Sequence, residues 1–289
     1  MKGSDGIPVR VRFTKLGKVR FVSHRDVARA FERAFRIEQL PMAFTLGFSP
    51  RPKVSFGLAL GTGHESLTEY LDLELAESVE IDELPARLSA ALPEGIDVSG
   101  ACELADRAVS LQEAVDTVEL QLRLVDLDSA TLKGVIERAL AAESLPITTT
   151  RKGRNVVEDL RPAFRSLVVH VDDDGAPVVH TEVNTRPRGL RPADLLLKLR
   201  ELADRELGAG EDRVLRTHQW IERDGARLEP LEADRATRNA TPLRVTSKGL
   251  TDDRRDNSGG QDLRPDFTDV EHADADFAAA ESTAARRIA

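Results

Sequence analysis

Residues 8–37 read PVRVRFTKLGKVRFVSHRDVARAFERAFRI, and two periodicities meet in them. Val9, Val11 and Phe13 alternate with Arg10 and Arg12, the period-two pattern of a strand with one buried face. Gly17 sits in a tight connection, after which residues 19–22 predict a second strand. Ser23 then predicts a helix N-cap, with Asp26 three residues on as its capping-box partner. Over about 24–38, Val27, Phe31, Ala34 and Phe35 share one helical face, while Arg25, Arg29, Arg33 and Arg36 share another. That second face is a stripe of guanidinium groups.

The pattern extends on both sides of a proline-rich interruption. Residues 41–47 predict a short strand, and Phe48-Ser49-Pro50-Arg51-Pro52-Lys53 excludes regular structure because two prolines bracket an arginine. Strands are then expected over 54–60 and 70–75, an amphipathic helix over 81–92 and a strand over 96–104. The order strand, helix, strand, strand, helix, strand is ferredoxin-like. It recurs as an architecture, though not as sequence: a strand over 115–125, a helix over 129–142, a strand over 146–150 with a hairpin excursion over 151–160, strands over 166–171 and 178–183, a helix over 192–202 and a strand over 213–221. The expectation is an α+β protein of tandem ferredoxin-like (βαββαβ) units with antiparallel sheets, at 8–105 and 113–222. Residues 232–289 carry only scattered apolar side chains, too few to offset the entropy of ordering them, and predict a disordered tail.

The chain of 289 residues has 41 Lys and Arg against 50 Asp and Glu, a net charge of −9, with 40% hydrophobic residues. No run reaches the roughly 18 apolar residues of a spanning helix, and the N-terminus has no apolar stretch of signal-peptide length. The single cysteine, Cys102, excludes an internal disulfide, a Cys-based zinc site and an iron–sulfur cluster, and suits a reducing cytoplasm. The acidic total is unevenly spread. Residues 1–60 hold twelve Lys or Arg against four acids, whereas 61–150 hold five against nineteen. A clustered basic module produces a local potential that attracts phosphate whatever the net charge; the alternative is a solvated basic face that docks on the acidic segment.

Several basic residues of this module fall in loops or at a helix N-terminus, among hydroxyls and glycines, where backbone amides point toward an anion. Lys15, Lys18, Arg20, Ser23, His24, Arg25, Arg29, Ser49, Arg51, Lys53 and Ser55 are therefore the candidate RNA- or phosphate-binding set. Phe48 and Phe56 either stack bases or pack in the core. His24 is a candidate general base toward a ribose hydroxyl, in a metal-independent endonuclease with Lys15 or Arg20 steadying the phosphate; the alternative is that it packs or binds phosphate while Ser23 and Asp26 cap the helix. His64, Ser66, Glu69 and Tyr70 form a second polar cluster. No cofactor or metal is expected, since adjacent His64 and Glu65 rarely chelate one ion and His170, His180 and His218 lie in separate strands.

Residues 13–75 resemble the radical SAM-associated (radical SAM-linked) proteins, a bacterial family of unknown function. Lys15, Gly17, Arg20, Phe21, Ser23, His24 and Asp26 match its first block, Leu40-Pro41, residues 47–52 and Ser55-Phe56 its second, and residues 66–70 its third. Arg25 stands where the family usually has leucine. Some members are fused behind a radical SAM enzyme with a cobalamin-binding region, and their genes tend to lie near a ribonuclease E/G-type enzyme and ribosomal protein genes. The resemblance implies an accessory protein beside a radical SAM partner, while the basic N-terminal module, with its loop Ser, Gly and Pro residues, is what points to tRNA or rRNA as the molecule bound. Because this chain lacks three clustered cysteines, the cluster belongs to another chain. A pure protein-interaction module is the remaining alternative. The element order is also similar to that of CRISPR RNA-processing endonucleases, an analogy of fold that carries no function.

Overall fold

The computed structural model describes residues 6–105, 108–151, 154–187, 189–205 and 212–240. In the first half, β1 (Ile7–Lys15), α1 (His24–Ile37), β2 (Val54–Gly57), β3 (Glu65–Leu75), α2 (Leu84–Ala91) and β4 (Val98–Glu103) follow the expected order. A short helix, α3 (Leu111–Ala114), leads to β5 (Thr117–Arg123), α4 (Ser129–Ala141), the hairpin β6 (Pro146–Arg151) and β7 (Arg154–Asp159), β8 (Phe164–Val171), β9 (Pro177–Asn184), α5 (Pro192–Leu202) and β10 (Arg213–Arg223). β11 (Ala226–Leu228) and α6 (Pro230–Ala240) complete the described elements.

The sheet order explains both halves. β1 lies between β4 and β3, and β2 pairs with β3, all antiparallel. In the second half β5 lies between β10 and β9, with β8 beyond β9, again antiparallel. Each half thus has its fourth, first, third and second strands side by side. The halves are not separate sheets: β10 runs parallel to β3 through Leu215↔Glu65 and Arg216↔Ser66. Among the described residues this makes one sheet of nine strands, with β6–β7 outside it. β3 shares one edge between two neighbours, β10 at its start and β2 at its end.

The alternating apolar residues fill two cores. Val9, Val11 and Phe13 of β1 pack with Leu71 and Leu73 of β3 against Val27, Phe31, Phe35, Leu84 and Leu88 of the helices, and the Phe13 and Phe31 rings meet edge-on at 4.8 Å. Leu120, Leu122, Val179 and Val183 pack likewise against Leu132, Val135, Leu195 and Leu199.

Several expectations are corrected. Residues 19–22 are not a strand: Gly17–Phe21 forms a 3-10 turn. Both edges of β1 are occupied, so this segment has no strand to pair with, and Gly17 at φ +66 turns the chain away. Residues 41–47 make only single bridges, Met42↔Leu75 and Phe44↔Pro52, because prolines at 41, 50 and 52 cannot donate to a ladder. The strand expected over 54–60 ends at Gly57, and Leu58 takes φ +47. The stretch expected to be disordered from 232 begins inside α6, while residues 241–289 lie outside the described residues. Leu231 and Ala233 are buried with Cys102, Leu104 and Ile221.

α6 also changes the outer face of β1. Arg10, expected on a solvent face, is 1% exposed. Its Nε donates to Asp72 Oδ1 at 2.7 Å and its Nη1 to Asp234 Oδ2 at 2.7 Å. Burial raises the Asp234 carboxyl above its ordinary value, partly offset by Arg10. The Cys102 thiol beneath is pushed up to about 12, by burial first and then by Asp234, which leaves it protonated and unreactive at neutral pH.

At the junction Arg216 is 3% exposed. Its guanidinium donates to the Glu69 carboxylate, to Leu58 O at 2.7 Å and to Ser66 Oγ at 3.3 Å. Arg216→Met removes the cation and strands Glu69 in the interior, so we expect a loss of about 3–5 kcal/mol in urea denaturation. A change within experimental error would show that the junction does not depend on this pair.

Candidate nucleic-acid interface

α1 begins at Ser23, whose Oγ accepts from the Asp26 amide at 3.3 Å. The reciprocal half of the cap differs from the capping box: the Ser23 hydroxyl donates to Asp26 Oδ2 at 2.7 Å, and Arg29 Nη1 donates to Asp26 Oδ1 at 2.8 Å. With Val27, Phe31, Ala34 and Phe35 buried, Arg25, Arg29, Arg33 and Arg36 stand on the exposed side of the helix.

Opposite α1 runs an arm over residues 44–52. The Thr45 amide donates to Arg51 O at 2.9 Å, the Arg51 amide to Thr45 Oγ1 at 3.1 Å, and the Lys53 amide to Ala43 O at 2.9 Å. Between helix and arm lies an open groove of about 760 Å³. Arg25, Arg29, Arg36 and Arg51 line it, over a floor that includes Phe35, Leu40 and Met42, with Phe44, Pro50 and Pro52 on the arm side. Glu32 is the one carboxylate in that lining among the described residues. Arg29 is paired with Asp26. Among the described residues Arg25, Arg36 and Arg51 form no ion pair, although Arg25 also acts electrostatically on Asp26.

The sequence-based candidates do not all meet in one place. Arg25, Arg29 and Arg51 meet in the groove. Ser49 and Ser55 are exposed, and Lys53 is committed to Glu74. Lys18 is exposed on the turn after β1, and Arg20 lies over the Phe21 ring at 4.6 Å and 3.6 Å from Glu65. Lys15 is 4% exposed, with Nζ 3.5 Å from Gly61 O; burial lowers its pKa, opposed by Glu69 and reinforced by Arg216. It belongs to the junction between the halves and does not reach a surface ligand.

The second polar cluster is part of the same junction. Glu65 accepts from the Gly17 amide at 2.7 Å, and Glu69 and Ser66 hold Arg216. Burial, then Lys15, lowers the His64 pKa. Tyr70 points elsewhere: its hydroxyl donates to Glu229, and burial with that carboxylate raises its pKa well above the ordinary value. His24 is exposed with its ring edge-on to Phe56 at 4.7 Å. The Asp26 carboxylate is bonded to Ser23 and Arg29, leaving no His24–Asp26 relay. Phe56 packs with Phe13 and Phe31 at 6.3 and 6.1 Å, so it is part of the core.

Sequence reasoning missed Arg36 as a lining residue, although its i+11 spacing from Arg25 already placed it on the arginine stripe. It also missed Arg216, for which no local signal exists: its partners are about 150 residues away along the chain. Among the described residues, no group of three or more His, Cys, Asp and Glu is placed to hold a metal ion, and no helix is long and apolar enough to cross a membrane.

Fold and groove together define an α+β protein with two ferredoxin-like halves joined in one sheet and an arginine-lined groove on the first. The chain belongs to the family described as "Uncharacterized protein conserved in bacteria (DUF2344)", whose pattern matches residues 9–192. No curated protein matches it. Among solved structures, the chain is similar to one described as "Crystal Structure of a Cbf5-Nop10-Gar1 Complex", with 11% identity, a TM-score of 0.39 and coverage of 73% of this chain and 48% of that one. A second is described as "Structure of H/ACA RNP bound to a substrate RNA containing 2'-deoxyuridine", with 13% identity, a TM-score of 0.35 and coverage of 74% and 47%. The chain thus spans about half the length of these two chains.

The cap makes a pH-dependent prediction. Hydrogen bonds from Ser23, then Arg29, hold the Asp26 carboxyl below its ordinary range. A depressed carboxyl supports the folded state above its unfolded pKa, and that support is lost as pH falls through the folded value. Ser23→Ala should therefore lower Tm at neutral pH and move the Asp26 titration upward, toward the ordinary value, when followed by NMR. An unmoved Asp26 would contradict the assignment.

Proposed function

We propose that this protein is an RNA-binding accessory protein whose groove between α1 and the 44–52 arm grips the sugar-phosphate backbone of tRNA or rRNA. The observation that carries the reading is the convergence of four arginines on one groove, three of them without an ion pair among the described residues. Arginine presents a planar fork of donors that matches phosphate oxygens two at a time. The arginines are held on a helix and a braced arm, so little ordering accompanies binding. Lys18 lies outside the groove as a further phosphate contact. The motif resemblance over residues 13–75 supports the additional reading that the protein serves a radical SAM modification enzyme, to which it presents the RNA.

The test is binding of total tRNA and rRNA fragments across a salt series. The logarithm of the affinity should fall linearly with the logarithm of salt concentration. Arg25→Ala, Arg36→Ala and Arg51→Ala should each weaken binding and reduce the salt slope by about one, whereas Arg138→Ala, on α4, should leave both unchanged. No binding at low salt would overturn the proposal.

A further inference from the structure

We infer that the RNA taken by this groove is single-stranded, with an unpaired base stacked on Phe48; this rests on the reading of the groove as an RNA site. The arm brings its own reason. Phe44 and Pro52 are bridged across it, and the Thr45–Arg51 bonds close it, so its tip is not slack. Gly47 at the tip has φ +134, a conformation side chains rarely adopt, which makes the turn depend on glycine. This braced turn holds Leu46 85% exposed and Phe48 fully exposed. An aromatic ring kept wholly in water gains none of the burial that stabilises the rest of the chain, so the arm holds it ready for something outside the fold.

The arginines say what that is. Arg51 lies on the same arm as Phe48 and faces Arg25 and Arg36 across the groove. An aromatic platform beside a positively charged groove is the arrangement that binds single strands, the cations following the backbone while a base stacks on the ring. Arg25 and Arg36 are eleven residues apart on α1, about 16 Å along the axis, a length that takes several nucleotides. Duplex RNA offers phosphates and 2′-hydroxyls, but its bases stack on one another and present no face to Phe48. A protein partner could use the apolar tip, but it would gain nothing from Arg25, Arg36 and Arg51, which form no ion pair among the described residues, unless it were a polyanion too.

The experiment is fluorescence anisotropy with a labelled RNA oligomer, alone and annealed to its complement, on the full chain and on Phe48→Ala and Phe48→Trp. The position is exposed, so neither variant disturbs packing. Wild type should bind the single strand at least about tenfold more tightly than the duplex. Phe48→Ala should lose about tenfold on the single strand and nothing on the duplex. Phe48→Trp should retain affinity and show emission quenching on adding the single strand. Equal binding of the two RNAs, or an unchanged single-strand affinity in Phe48→Ala, would overturn the inference and leave the groove reading standing. No binding of either RNA at low salt would overturn both.

Discussion

The buried pair Arg216–Glu69 is what makes the two halves one sheet. β3 and β10 meet through two residue pairs, too short a ladder to hold two sheets in line by backbone bonds alone. Taking two charges out of water costs several kcal/mol for each, and that cost is recovered only when every donor and acceptor finds a partner. Here the guanidinium is shared among Glu69, Ser66 and the Leu58 carbonyl, while the second Glu69 oxygen accepts from the Leu60 amide at 3.3 Å. The pair thereby fixes the loop between β2 and β3. It sits where β10 pairs with the start of β3, the rest of that edge pairing with β2. β2 in turn anchors the arm that precedes it, so the position of the arm against α1 follows from an ion pair outside the groove.

A second buried arginine closes the outer face. Arg10 ties β1 to Asp72 on β3 and to Asp234 on α6, and Leu231 beside it seals Cys102 and Leu104. One face of the first half is thus covered by α1 and α2 and the other by α6. What is left open is the exposed side of α1 and the arm. Arg10, Arg12, Lys15, Arg20, Arg29, Lys53 and Arg87 of the first half are drawn into contacts within the protein, whereas Arg25, Arg36 and Arg51, which form no ion pair among the described residues, line the groove.

The element order was legible because apolar spacing changes from two to near four along the chain, and that signal survives in every long element. The strand expected at 19–22 was not distinguishable from a turn, because Val19-Arg20-Phe21-Val22 has the right side chains and only the occupied edges of β1 exclude pairing. Arg10 and Lys15 were read as surface cations for the same reason that Arg25 and Arg51 were. Charge pattern alone does not tell a basic residue facing solvent from one whose carboxylate partner lies far along the chain. Helix α6 was missed because Leu231 and Ala233 are too few apolar residues to make a period, and its polar face carries Asp234, whose purpose appears only when Arg10 is beneath it.

The central claim is that α1 and the 44–52 arm form the RNA-contacting surface. Ultraviolet crosslinking of bound RNA, followed by mass spectrometry of the crosslinked peptides, tests it most directly. The account predicts crosslinks in the peptides spanning residues 25–51, with Phe48 among the modified residues. Crosslinks confined to the second half of the sheet, with none in that span, would contradict it.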